Sequence, residues 1–208
     1  GVLKKAFMSR TFSFLRSNDL IYRPAIKSYM MGEKPPAFDL LYWNEDGTNL
    51  PAKMAVEYLR GLCQSDLLSQ GQLELFGTMP SLADIDVPVF SVACETDHIA
   101  AWRSAYQGLT QFGSSDKTFV LSQSGHIAGI VNPPSKNKYG HYINDAPIST
   151  PDAFLDGAQF HAQSWWLTWA AWLAKRSGSM MPARQISDSG REILAQAPGE
   201  YVRKKANY

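Results

Sequence analysis

Apolar positions along the chain change their spacing near residue 86. Before it they recur at helical intervals between irregular connections; after it, short β-branched runs alternate with amphipathic stretches. In the first region Asn18 and Asp19 offer caps for the aromatic-rich segment LIYRPAIKSYMM. Pro24 falls near the first turn of that segment and Gly32 stops it, so a short helix is predicted. Residues 44–49 (NEDGTN) read as a polar turn. Pro51 then opens a second helix over 51–68, with Met54, Tyr58, Leu59 and Leu62 spaced to face a core. GTMPSLADID is a connector.

From Asp86 the run DVPVFSVACETD is apolar and β-branched, begins after a proline and ends in a polar turn, which is the pattern of a buried strand. Residues 100–112 (AAWRSAYQGLTQF) read as a helix ended by Gly113, and Lys117 to Gln123 as a second strand. Strand, helix and strand with short connections make a βαβ unit, so the fold class is α/β with a parallel sheet covered by helices. Two strands do not make such a sheet alone, so its other strands are expected from sequence outside this chain or from a partner. A long loop punctuated by Gly and Pro follows, SGHIAGIVNPPSKNKYGHYIND. Residues 154–174 are predicted as one helix carrying Trp165, Trp166, Trp169 and Trp172. A wide aromatic face of this kind suits core packing, with a lipid or polymer surface as the alternative. The tail 175–208 is polar and expected to be loosely held.

Composition narrows the class. With 45% hydrophobic and 19% charged residues the chain can bury one sizeable core and is not a disordered polymer. A formal charge of +1 gives no reason to expect nucleic acid as partner. The long uncharged stretch GAQFHAQSWWLTWAAWLA is broken by polar residues, so no transmembrane segment is predicted. Two cysteines and no signal peptide suggest a reducing, cytoplasmic setting. The chain opens at Gly1 on a mixed basic and apolar segment, VLKKAFMSRTFSFL, without a helix start signal, and reads as a piece of something longer.

The most informative pair for chemistry is Asp97 and His126. Each lies just past the carboxyl end of a predicted parallel strand, where α/β sheets gather their ligands. Their separation is about one βαβ crossover, and acid followed by His is the order in which α/β-hydrolases deliver these partners. A neutral imidazole takes a proton from a hydroxyl or thiol, and a carboxylate on its other nitrogen holds the tautomer and stabilises the imidazolium. Gly125 and Gly129 allow sharp turns beside the ring, and His98, directly after the acid, fits either a group that tunes it or a surface residue at the strand end. An Asp capping the next helix and a His satisfied within its loop would leave the same pattern, and spacing alone does not choose between the two. No G-x-S-x-G or G-x-C-x-G elbow is present. Cys63 falls on a predicted helix and Cys94 within a strand, positions typical of small buried hydrophobes. His141 and His161 have no partners at metal-binding spacing, so no metal is expected, and neither a dinucleotide fingerprint nor a Walker loop occurs.

Several blocks carry a family resemblance: FSFLRSNDLIY, AFDLLYWN at 37–44, DGTNLP, ETDHI, SGHIAGIVNPPSKNKY and HYIND. Together, from Thr11 to the APGEYVRKKA terminus, they resemble the C-terminal half of class I polyhydroxyalkanoate synthases. The resemblance implies the C-terminal part of an α/β-hydrolase core (86–174) and a mainly helical cap (1–85) that gates the site and contributes to a homodimer. It also implies a Cys-His-Asp triad that polymerises (R)-3-hydroxyacyl-CoA, in which Asp97 of ETDHI matches the family acid and His126 of SGHIAG the family base. The family nucleophile would lie upstream of Gly1; Cys63 and Cys94 do not match it. No cofactor is implied beyond the coenzyme A thioester substrate. Expected partners are the upstream half of the synthase and the surface of cytoplasmic polyester granules. Two other readings remain open: a granule- or subunit-binding module without activity of its own, and a thioesterase or esterase on the same scaffold.

Overall fold

The computed structural model describes residues 1–15, 17–35, 47–185 and 190–204. The block AFDLLYWN, the first half of the polar turn at 44–49, the last four residues and the side chain of Asp19 lie outside the described residues. The chain forms two compact units, Gly1–Trp165 and Trp166–Tyr208.

The first unit begins with β1 (Val2–Leu3), antiparallel to β2 (Leu50–Pro51). Between them α1 (Lys5–Leu15) starts with no local cap. Its Lys5 N–H donates to the Asn49 carboxamide oxygen at 2.9 Å, so a residue remote in sequence satisfies an orphan donor of the first turn. A helical run, α2, covers 18–30 and ends at Gly32 (φ +68°), as the sequence predicts. Its start differs. Ser17 is already helical, so Asn18 lies inside the run and caps nothing, and Pro24 sits in its middle. The turns on both sides of Pro24 are wide, with Arg23 N–H bonded to Asn18 O and Met31 N–H to Ile26 O. Such i to i−5 closures let a helical path run past a residue that has no N–H.

The second predicted helix, α3, consists of Ala52–Glu57 continued by Tyr58–Gln64 and stops short of residue 68. Its buried positions are Ala55 and Gly61, whereas Met54, Tyr58 and Leu59 are exposed and Leu62 is half-buried. The expected core face is therefore turned largely outward, and the buried positions of the helix are small residues, with the Leu67 and Leu73 side chains lying beside Gly61.

The core forms around a four-stranded sheet of order β3-β4-β5-β6. β3 (Val89–Cys94) and β4 (Lys117–Ser122) are parallel, in register from Val89↔Lys117 to Cys94↔Ser122, and α4 (Trp102–Thr110) crosses between them. β5 (His141–Ile143) and β6 (Gln159–His161) add antiparallel strands. Two corrections follow. This chain supplies more of its own sheet than the sequence suggested, and the predicted helix over 154–174 is three elements. Thr150 caps and Pro151 opens α5 (Pro151–Asp156), Gly157 ends it, β6 follows, and only then does α6 (Trp165–Ala174) begin.

Successive strand residues face opposite ways. Ala93, Phe119 and Leu121 meet Tyr106 and Leu109 of α4 and Phe154 of α5 on one face, where Phe119 packs edge-on to both Tyr106 (4.9 Å) and Phe154 (5.1 Å). Phe90, Cys94 and Ser122 point to the other face, where Phe90 stacks on Trp165 at 6.4 Å. Of the four tryptophans expected to pack, Trp165 is buried and Trp169 is exposed. In the second unit the Arg176 guanidinium lies 4.0 Å over the Trp172 ring and donates to the Trp172 carbonyl at 3.1 Å. Among the described residues no helix is long and apolar enough to cross a membrane.

Phe119 is 1% exposed at the centre of the aromatic cluster, whereas Phe76 is fully exposed. Phe119→Ala should cost about 3–5 kcal/mol in urea unfolding, and Phe76→Ala less than about 0.5 kcal/mol. Equal costs would contradict this placement of the core.

Candidate active site at the carboxyl edge of the parallel pair

Beyond Cys94 and Ser122 the two parallel strands stay tied together for two more residues. Glu95 N–H donates to Ser122 O at 2.8 Å and Thr96 N–H to Ser124 O at 3.1 Å. Ser124 adopts a left-handed conformation (φ +75°), which redirects the chain immediately before Gly125 and His126. The two loops that carry the predicted acid and base therefore leave the sheet side by side.

Asp97 uses its two oxygens differently. Oδ1 accepts from the N–H groups of Ile99 (2.8 Å) and Ala100 (2.9 Å), closing the turn that leads to α4. Oδ2 lies 2.8 Å from Nδ1 of His126. The two readings of Asp97, turn-capping residue and partner of His126, are thus both true of one carboxylate. Because an ionised carboxylate only accepts, the neutral imidazole carries its proton on Nδ1 and leaves the Nε2 lone pair available. Asp97 is 7% exposed at its side chain and His126 is 45% exposed, so a buried acid orients a partly exposed ring. Burial alone would raise the carboxyl's pKa. The Ala100 N–H, the His126 ring and the Ile99 N–H outweigh it and hold Asp97 below the ordinary range.

Neither cysteine is joined to His126 by a hydrogen bond, and both are free. Cys63 is exposed on α3. Cys94 is buried, and desolvation followed by the nearby Asp97 charge pushes its thiol up to about 11, so it stays protonated and unreactive. Its Sγ packs against Gly129, where an added Cβ would lie 2.6 Å from that sulfur and 2.7 Å from Gln123 O. Gly129 is therefore required by close approach. Gly125 is not: a side chain there would meet Thr96 O at an ordinary 3.5 Å. His98 is exposed.

Sequence reasoning did not single out what holds the base loop. Gly129 N–H closes on Gly125 O at 2.9 Å around His126. Farther along, the Asn132 side chain donates to Tyr139 O (2.7 Å) and accepts from Lys138 N–H (3.1 Å), pinching the NPPSKNK segment shut. An Asn just before Pro-Pro was the one available signal. His141 and His161 stack at 5.2 Å, and Nδ1 of the buried His141 donates to Gln163 O at 2.8 Å. Burial first, and the charge of His161, push His141 down despite the Gln163 carbonyl. Among the described residues no group of three or more His, Cys, Asp or Glu could hold a metal ion.

What the structure brings together at this edge is a carboxylate and an imidazole in direct contact, carried on loops that follow two parallel strands. No family model matches the chain. It is similar, however, to three poly(3-hydroxyalkanoate) polymerases: the polymerase subunit PhaC of Cupriavidus necator (42% identical), that of Rhizobium meliloti (39%) and the polymerase of Methylorubrum extorquens (40%). Each similarity covers 99% of this chain and 33–35% of the relative, so the chain spans about a third of the length of the curated relatives it matches. Along nearly its whole length the chain is similar to a segment of poly(3-hydroxyalkanoate) polymerases.

The depressed Asp97 pKa has a stability consequence whose sign is fixed. A carboxyl whose folded pKa lies below its unfolded one stabilises fully above the unfolded value, about 3.9, and loses that contribution as pH falls below it. Asp97→Asn should therefore lower stability at pH 6, with the gap to the parent narrowing at pH 3 in urea unfolding. A gap that stays constant across that range would contradict the assignment.

Proposed function

We propose that this chain is the C-terminal part of a polyester synthase that transfers (R)-3-hydroxyacyl groups from coenzyme A thioesters to a growing polyhydroxyalkanoate. Asp97 and His126 are the carboxylate and base of a Cys-His-Asp triad whose thiol comes from polymerase sequence outside these 208 residues. The observation that carries the reading is the 2.8 Å contact between Asp97 Oδ2 and His126 Nδ1, made by an imidazole whose side chain is 45% exposed. Nε2 takes the thiol proton, the thiolate attacks the thioester carbonyl, and the imidazolium returns the proton to the departing coenzyme A sulfur. The 3-hydroxyl of one acyl group then attacks another acyl thioester, which lengthens the ester chain and regenerates the enzyme thiol. Water competing with that hydroxyl would release free acid, so the site must be dry during elongation. Exposed Ile99, Ile127, Ile130 and Val131 flank the two site residues in sequence and suit an apolar enclosure once covered.

The same reading makes the mixed α/β sheet the C-terminal part of an α/β-hydrolase core and residues 1–85 its cap. Exposed apolar residues of that region, among them Phe7, Phe14, Leu20, Tyr29 and Met30, are then surfaces for the rest of the synthase or a second copy in a homodimer. The enzyme needs no cofactor beyond its thioester substrate and works in the cytoplasm at the polyester granule.

The test is coenzyme A release and product mass with (R)-3-hydroxybutyryl-CoA, using the full polymerase chain that contains this segment. High-mass polyester is expected from the parent, with losses of about 10³-fold or more in His126→Ala and Asp97→Asn. Near-parental rates in both would reject the site. Free 3-hydroxy acid without polymer would assign the same residues to a hydrolase.

A further inference from the structure

The Asp97 bond fixes the His126 ring, but a ring is only as well placed as the loop that carries it. That loop folds back over the sheet face opposite α4, and its anchor is the carbonyl of Gly129, three residues beyond His126. Gly129 O accepts from Ser122 Oγ at 2.8 Å and from the indole Nε1–H of Trp165 at 3.0 Å, and all three residues are buried. Because Gly129 N–H also closes on Gly125 O at 2.9 Å, the turn containing His126 is tied through both backbone polar groups of one residue. Beneath it the Cys94 sulfur leaves no room for the turn to sink.

Trp165 is held as firmly as what it holds. Its ring stacks on Phe90 of β3, and the preceding residue, Ser164, reaches the same loop twice. The Ser164 hydroxyl donates to Asn132 O, and its N–H donates to Asn137 Oδ1 at 2.7 Å. One dipeptide, Ser164–Trp165, thus grips the loop at residues 129, 132 and 137.

We infer that Trp165 is a positioning residue for the base: by donating with Ser122 to the Gly129 carbonyl, it sets the height at which His126 stands above the sheet edge. This rests on the function proposed above. The buried acceptor is satisfied by two donors from different elements, one on β4 and one at the start of α6, so the loop is pinned in two directions. Losing one donor leaves the fold's aromatic contacts in place and frees the loop to shift. Shifts of a fraction of an ångström at a general base reduce turnover without changing substrate affinity.

Trp165→Phe in the full polymerase chain removes the N–H and keeps a ring against Phe90. It should lower kcat about tenfold while KM for the acyl-CoA stays within about twofold. Placed on the His126→Ala background it should cost nothing further, because it acts through His126. Parental kcat in Trp165→Phe, or the same fold-loss on the His126→Ala background, would overturn the inference, the latter showing a general structural role. If Trp165→Phe does not fold, Ser122→Ala removes the other donor without adding bulk and should show the same pattern, with the same outcomes overturning it. The parent and His126→Ala, run alongside, separate the two levels. An inactive parent or an unimpaired His126→Ala removes the functional reading and this inference with it. An active parent, an impaired His126→Ala and an unimpaired Trp165→Phe remove this inference alone.

Discussion

The in-register parallel ladder between Val89–Cys94 and Lys117–Ser122 is the constraint on which the rest of the structure depends. A parallel pair carries both chains to the same edge of the sheet, so whatever follows each strand emerges together. The ladder does not stop at its last strand residues: Glu95 and Thr96 continue to bond to the carbonyls of Ser122 and Ser124. A slip of one residue would turn Phe119 and Leu121 away from α4 and move Asp97 out of register with His126. Burial of the aromatic cluster therefore specifies the site's geometry as well as the fold's stability.

At that edge a single carboxylate serves two purposes at little cost to either. One oxygen organises the turn into α4 and the other holds the imidazole, and the donors around them keep the acid ionised although it is nearly buried. The same charge acts oppositely on Cys94, a few residues away, where it adds to burial in keeping the thiol protonated. The Cys94 sulfur is thus a packing group under Gly129.

Much of this edge was legible in the sequence because its signals are long or chemically specific. Six-residue β-branched strands, a helix between them and an acid and His each one loop beyond a strand need only local pattern and topology. The three-residue strands His141–Ile143 and Gln159–His161 carry no period of their own. They are strands because β4 and then β5 offer open edges to pair with, which is a tertiary cause. For the same reason α1 showed no start signal: its cap, Asn49, belongs to another segment. The apolar spacing of Met54, Tyr58 and Leu59 correctly implied a helix and wrongly implied its buried side, since periodicity reports that a face is apolar and not that something in this chain covers it. Nor could pattern reveal that an indole thirty-six residues beyond Gly129 would bond to its carbonyl.

All of this chemistry requires that the buried carboxylate dictate where the imidazole keeps its proton. Nitrogen-15 NMR of His126 in the neutral state reads this directly, comparing the polymerase with Asp97→Ala. The account predicts a predominantly Nδ1–H ring in the parent and a shift toward the Nε2–H tautomer once the carboxylate is gone. A parent ring that is mostly Nε2–H, unchanged by removing Asp97, would contradict it.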